Sequence, residues 1–438
     1  MYEFRRCIIG FLAVITTLVA SCNAAPRGPI VVEGWPVQLG NEGSAAKPQI
    51  VVIGGSESKT GKLKLEASQQ WNGFRLWIKM INAAGGIRLH DGTVIQFATK
   101  IYDDESNKDR VKAYYKQLIN EDRVDYLLNP YSSGLTTPIT KIVSDSHTLM
   151  FLAGAAADSI HAQGARNIFM VQSPASQYLA DALNLLAEMD GSVRRIAVLH
   201  EDEPFSNEVA AALGSFAQQR KYQIDYYQKY SSNTTDFSAQ LDALAATKPG
   251  AILGGGHLVD TLALAQQLRK RGVQAKFISL LIAPPDPKFA ELGNLAVGMT
   301  GPSPWEPLAQ YSPASAAELH IPWFGPTIQE FVAAYKAEYK AEPSYRAAAA
   351  FATGLVLQKA ILVADSVDRD AVRSVLERMD MMTFYGRCKF STDAENYGLQ
   401  VGHRMMVVQW QKNAAGKLVK EVVYPKQARS AAAIYPMP

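Results

Sequence analysis

Cysteine is almost absent from this 438-residue chain. There are 3. Cys7 and Cys22 lie in or at the edge of the N-terminal apolar segment, and Cys388 stands alone in the body. One body cysteine excludes an intramolecular disulfide framework and a thiolate metal cluster. The 7 histidines fall at no paired metal-ligand spacing. Charge of one sign is lacking too. The formal net charge is +3, and no basic cluster is interleaved with aromatics. Nucleic acid is therefore not an expected partner. The first apolar run, Ile8 to Ala20, is too short to span a bilayer as a stable helix. Stability must come from a large core, which 438 residues, 48% hydrophobic and 19% charged, can supply.

What is present at the N-terminus is an export signal. Arg5 and Arg6 precede the apolar run, and Val19-Ala20-Ser21-Cys22 closes it. That tetrapeptide has the pattern of a bacterial lipobox, with Cys22 as the lipidated residue. Ordinary signal cleavage nearby, for instance after Ala24, is the alternative. Residues 1–21 are read as signal peptide and 22–47 as anchor and tether, because Asn23 to Lys47 is rich in Pro, Gly and Ala. Either route places the mature protein outside the cytoplasm, in the periplasm or at the cell surface.

From Gln49 onward the sequence alternates strand and helix patterns. The apolar run Ile50 to Ile53 suits a parallel strand buried on both faces. Trp71, Phe74, Ile78 and Ile81 recur at helical spacing before Gly85-Gly86. Strands follow at Thr93 to Ile101, Val124 to Leu128 and Thr148 to Leu152, with helices between. The rhythm restarts after Val171-Gln172-Ser173-Pro174, with strands at Arg195 to His200, Tyr222 to Tyr227, Ala251 to Gly256 and Lys276 to Leu281. This predicts an α/β protein of two lobes with parallel sheets flanked by helices. Long helices at Pro326–Lys340 and Ser344–Ala364 and terminal β-patterned segments complete the chain.

The segment Asn129-Pro130-Tyr131-Ser132-Ser133-Gly134 lies where a buried strand gives way to a helix. In an open α/β sheet ligands bind at the carboxyl ends of strands. Backbone N–H groups and the helix dipole there suit an anion, and Ser132, Ser133 and Thr136 add hydroxyls. The same residues also make an ordinary N-cap and turn. Gly54-Gly55-Ser56-Glu57-Ser58 lacks the second glycine of a nucleophile elbow, and Gly254-Gly255-Gly256 lacks the spacing of a dinucleotide fingerprint. An exported hydrolase is thus a weak rival, and no cofactor is expected.

Asn82-Ala83-Ala84-Gly85-Gly86-Ile87 followed by Tyr102-Asp103-Asp104, then Ser132-Ser133-Gly134, Thr235-Asp236-Phe237, and Phe384-Tyr385-Gly386 with Gly402-His403, occur in one order. That order resembles the type I periplasmic binding proteins of ABC transporters, specifically their leucine/isoleucine/valine-binding branch. The resemblance covers Ile50 to Trp410. It implies two Rossmann-like lobes joined by three crossovers, near Gln172-Ser173-Pro174, Thr300-Gly301-Pro302 and Phe384-Tyr385-Gly386. Lobe one would comprise 48–171 and 301–384, and lobe two 172–300 and 385–438. A ligand would lie in the cleft, and the partner would be an ABC permease, with a signalling protein as the alternative reader.

The ligand-binding set that this resemblance implies is Ser56, Tyr131, Ser132, Ser133, Gly154, Ala155, Ala156, Phe205, His257 and Trp305, with no catalytic residue and no metal. Ala156 stands where the family carries a hydroxyl. The acid that pairs with an α-ammonium in amino-acid binders should fall near Leu280 to Pro284, where there is none before Asp286. Glu57, Glu201 and Glu306 are the candidate substitutes. These departures favour a small carboxylate or amide without a free ammonium, aromatic ones included, over the branched-chain amino acids that are the family default. His257 either faces ligand or merely starts a helix, and Trp305 either stacks on ligand or packs the hinge.

Overall fold

The computed structural model describes residues 48–438. The signal peptide, Cys22 and the tether lie outside the described residues. Six strands form the first sheet: β1 (Gln49–Glu57), β2 (Ile87–Arg88), β3 (Val94–Asp103), β4 (Tyr126–Leu128), β5 (Met150–Leu152) and β6 (Ile168–Met170). Their order is β2-β3-β1-β4-β5-β6, parallel except at β2. The second sheet takes β7 (Arg195–Glu201), β8 (Gln223–Tyr230), β9 (Ala251–Gly255), β10 (Phe277–Leu280) and β11 (Thr300–Ser303). A separate antiparallel ribbon pairs β12 (Asp380–Thr383) with β13 (Gly386–Lys389). The last strands, β14 (Met406–Lys412) and β15 (Leu418–Tyr424), return to the second sheet in antiparallel register, giving the order β15-β14-β11-β10-β9-β7-β8. The α/β, two-sheet reading of the sequence holds.

The inner parallel strands of both sheets are buried, whereas the start of β1 and much of β3 and β8 are exposed or half-buried. Strands β4, β5, β6, β9 and β10 have no exposed residue. Several short elements escaped the sequence patterns, β2 and the helix Pro313–Glu318 among them. Strands β6, β11 and β12 span only three or four residues each, too few for a period to show. The helix read from Ala175 begins as a short 3-10 turn, Ala175–Gln177, and is α-helical from Ala180 to Met189. Asp236 receives the Ser238 N–H, but the helix Ser238–Ala246 starts one residue later than a cap at that position would require.

Helices Ile328–Tyr339, Tyr345–Ala364 and Arg369–Leu376 pack against the first sheet's side of the molecule. Tyr345–Ala364 is apolar on nearly all faces and buried, as a helix hydrophobic all round must be. It lies along the helix Lys64–Ala83 so closely that glycine is needed on both. A Cβ at Gly73 would collide with the Ala347 carbonyl, and one at Gly354 with the Trp77 ring. Trp77 Nε1 then donates to Gln358 Oε1 at 3.2 Å. Arg369 donates to the carbonyls of Val124 and Asp125, fixing the third helix to the entry of β4. Cys388, the one cysteine among the described residues, is a buried free thiol.

This contact yields a prediction with a diagnostic sign. Glycine to alanine inside a helix normally stabilises by about 1 kcal/mol. Gly354→Ala should instead destabilise by about 1–3 kcal/mol, because the added methyl overpacks Trp77. Urea unfolding of the variant beside the wild type measures it.

Candidate functional site

The carboxyl ends of β4, β5, β7, β9 and β10 converge on one buried cavity of about 10 Å³, lined by Tyr131, Ser132, Ser133, Gly154, Ala156, Gln172, Phe205, His257 and Ile282. That is room for about one water. Seven of the ten residues expected from sequence line it. Ser56, Ala155 and Trp305 do not. Ser56 donates to Asp104 Oδ2 at 2.6 Å behind the site, and Ala155 belongs to the core on the far side of the first sheet. Trp305 packs edge-on to Phe331 and Phe384 and donates from Nε1 to the Phe384 carbonyl at 3.0 Å. Its contacts are therefore with the packed core and not with the cavity.

The turn after β4 is more structural than its sequence suggests. The helix it opens, Ser133–Thr136, has one turn, so it carries little dipole, and Ser132 makes no side-chain cap. Ser133 Oγ accepts the N–H groups of Ala156 and Ala157 at 3.0 and 3.1 Å. The backbone donors expected to meet a ligand at Ala156 are therefore held by a serine of the neighbouring loop. Asn129 locks the two loops together by accepting the Ala153 N–H at 2.8 Å and donating to Pro130 O.

From the second sheet come Phe205, first-turn residue of the helix Pro204–Gln219, and His257, which precedes the helix Leu258–Lys270. Tyr131 and Phe205 meet the His257 ring edge-on at 6.0 and 6.3 Å. Glu201, the last residue of β7, accepts both the His257 N–H and its Nδ1 at 3.1 and 2.8 Å. Burial works against the imidazolium, but Glu203 and Glu201 outweigh it and raise the His257 pKa to about 9. Lys62 reaches across from the first half of the molecule. It pairs with Glu201 and with Asp260 and donates to Ser232 O at 2.7 Å. Burial pushes the Asp260 carboxyl up, and the Glu201 charge adds to this.

Sequence reasoning missed a second bridge. Arg346, fully buried near the start of the helix Tyr345–Ala364, pairs with Asp286 at 2.8 Å. It also donates to Gln69 Oε1 at 2.9 Å and to the Tyr131 hydroxyl at 3.2 Å. Asp286 follows the loop Leu281–Pro285, which delivers Ile282 to the cavity at φ +59. A β-branched residue in the left-handed region is strained, and such strain persists where surrounding structure enforces it. No carboxylate comes from Leu280 to Pro284, as the sequence indicated.

The three substitute acids already have cations. Glu57 holds Arg75 at 2.5 Å, Glu201 holds Lys62 and His257, and Glu306 holds Lys420 at 2.7 Å. Behind the cavity the crossovers are tied together. His403 Nε2 donates to the Tyr385 carbonyl at 2.7 Å, so its Nδ1 accepts the Ser173 hydroxyl at 2.7 Å. Burial lowers the His403 pKa to about 4, which keeps that ring neutral.

A periplasmic binding protein family model matches residues 50–417. The chain belongs to that family. It is similar to Leu/Ile/Val-binding protein homolog 7 of Brucella suis, 23% identical over 88% of this chain and 94% of that protein. The leucine-specific-binding protein of Salmonella typhimurium is 24% identical over 62% and 70% of the two chains. Its fold is that of the branched-chain amino acid transporter substrate-binding protein of Streptococcus pneumoniae, solved with isoleucine (TM-score 0.70, 21% identity, 86% and 100% coverage). An ABC transporter solute-binding protein of R. palustris, solved with benzoate, gives a TM-score of 0.69 at 18% identity over 88% and 98% of the chains. Members of this family are exported substrate-binding proteins of ABC transporters rather than enzymes.

The His257 charge generates a pH prediction. Its folded pKa, about 9, exceeds the ordinary 6.5. The stability it contributes is therefore fully present below about pH 6.5 and is lost as pH rises through about 9. The loss should be about 3 kcal/mol at most. Urea midpoints should fall over that window in the wild type and fall much less in His257→Gln.

Proposed function

We propose that this protein captures a small solute in the cleft between its two lobes and delivers it to an ABC permease. The ligand is a branched-chain amino acid or a related small carboxylate or amide, aromatic ones included. The observation that carries this reading is the cavity at the carboxyl ends of both parallel sheets, lined from each side. Relatives of the same fold hold isoleucine and benzoate, which supports a small carboxylate-bearing ligand. No catalytic role is assigned, and Ser56, the serine nearest a nucleophile motif, is spent on Asp104.

The cavity is far smaller than such a ligand, and side chains of both halves already meet across it. Ligand entry therefore requires the lobes to part and then close on it. The hinge lies at the crossovers near 172–174, 300–302 and 384–386. Closure is selected by ligand because only the closed form touches it from both sides. The binding residues are Tyr131, Ser132, Ser133, Gly154, Ala156, Phe205 and His257. Cys22 carries a lipid that keeps the protein at the membrane, within reach of the permease.

A thermal-shift screen over amino acids, aromatic acids and amides tests the function. A true ligand at a hundred times its dissociation constant adds about 2.7 kcal/mol. The same ligand should lower the radius of gyration in solution scattering. A screen without a single stabilising compound, or a tight ligand that leaves the scattering unchanged, contradicts the reading. The anchor has its own test: Cys22→Ala should move the protein from the membrane to the soluble fraction, and unchanged fractionation removes the lipid from the account.

A further inference from the structure

Several buried side-chain atoms at the cleft lack a hydrogen-bond partner, Gln172 Oε1 and the donor Arg346 Nη2 among them, and two of the acceptors lie on one helix. Glu66, in the first turn of the helix Lys64–Ala83, has no exposed surface. Its Oε1 accepts the Leu258 N–H at 3.2 Å, from the residue next to cavity-lining His257. Its Oε2 has no hydrogen-bond partner, and Glu66 forms no ion pair among the described residues. Gln70 lies four residues on, hence on the same face of the helix. Its Nε2 donates to the Asn129 carbonyl at 2.8 Å, which fixes the amide's orientation and leaves Oε1 as the other atom. That Oε1 also has no partner. It lies so close to cavity-lining Gly154 that a Cβ there would collide with it.

A buried carboxylate oxygen and a buried amide oxygen without donors are costly, and native proteins rarely keep them without a reason. Arg346 is close enough to be influenced by Glu66. Yet its contacts go to Asp286, Gln69 and Tyr131, and it does not pair with Glu66. Both free oxygens can accept from a donor, and one belongs to a carboxyl group. A ligand that brings only acceptors cannot satisfy them.

We propose that Glu66, assisted by Gln70, binds a protonated nitrogen of the ligand, and so supplies from the first-lobe helix the counter-charge missing near Leu280 to Pro284. The assignment rests on the solute-binding reading above. It reverses the preference drawn from sequence for a ligand without an ammonium group. That preference assumed that no unpaired acid reaches the cleft, and Glu66 is one. The ligand class is a small molecule with an ammonium or similarly charged nitrogen beside an apolar body, the latter facing Phe205 and Ile282.

The test is calorimetric titration of the full-length protein with two matched sets: leucine, 4-methylpentanoate and 3-methylbutylamine; phenylalanine, 3-phenylpropanoate and 2-phenylethylamine. Within at least one set, a nitrogen-bearing member should bind about ten- to a hundred-fold more tightly than the acid that lacks nitrogen. Glu66→Gln should shrink that ratio below about threefold. Gln70→Met should lower the ratio by a smaller factor, and it serves as the second variant should Glu66→Gln fail to fold. A nitrogen-free acid that binds as tightly as its amino counterpart, or a ratio that survives Glu66→Gln, overturns the assignment and leaves the solute-binding reading standing. A panel in which nothing binds overturns both.

Discussion

The cleft is organised by one close contact between two helices. Lys64–Ala83 and Tyr345–Ala364 come from opposite ends of the chain, yet Gly73 meets Ala347 and Trp77 meets Gly354 and Gln358. The pairings advance together along both helices, so the two run parallel. The first turn of Tyr345–Ala364 therefore lies beside the second and third turns of Lys64–Ala83. Glu66, Gln69 and Gln70 arrive from one helix and Tyr345 and Arg346 from the other. The same geometry makes an unpaired Glu66 tolerable, because the positive end of its own helix dipole lies beneath the carboxylate.

Much of the fold was legible because buried parallel strands leave apolar runs such as Ala251 to Leu253; Ile50 to Ile53 marked a strand as well, but its entry is not buried on both faces, since Ile50 is exposed and Val52 half-buried. The loops were legible as loops, and Tyr131, Phe205 and His257, named from the family order, line the cavity. The polar residues that dominate the cleft were not legible. Glu66 sits in Lys64-Leu65-Glu66-Ala67, which reads as the solvated face of an amphipathic helix. Arg346 sits in Ser344-Tyr345-Arg346-Ala347, an unremarkable helix start. Only the approach of a second helix buries them. Trp305 illustrates the opposite case. An aromatic between two prolines fits ligand or hinge equally well in sequence, and in the structure Trp305 packs on the stacked Phe331–Phe384 pair, away from the cavity lining.

The crossovers themselves are held with little freedom. Trp305 grips the Phe384 carbonyl, and His403 links Tyr385 to Ser173. These bonds join the segments through which the chain passes between sheets. A rotation there can occur only as a unit, since breaking one leaves a buried donor without an acceptor. Such coupling suits a movement between a small number of discrete arrangements rather than a continuous one.

What sets the balance between those arrangements is the cost of the charges at the cleft. Lys62, Glu201, Asp260 and His257, with Arg346 and Asp286, form bridges that are fully or partly out of water. Desolvation cancels much of what such pairs gain, so they fix how the lobes register more than how strongly they hold. On the solute-binding reading proposed above, a ligand selects closure through its preferential affinity for the closed form. The unpaired oxygens of Glu66 and Gln70 sharpen this, because closing over them without a donor carries a desolvation cost that a cationic nitrogen removes. The same two atoms that read the ligand thereby penalise closing on nothing, and recognition and closure become one event.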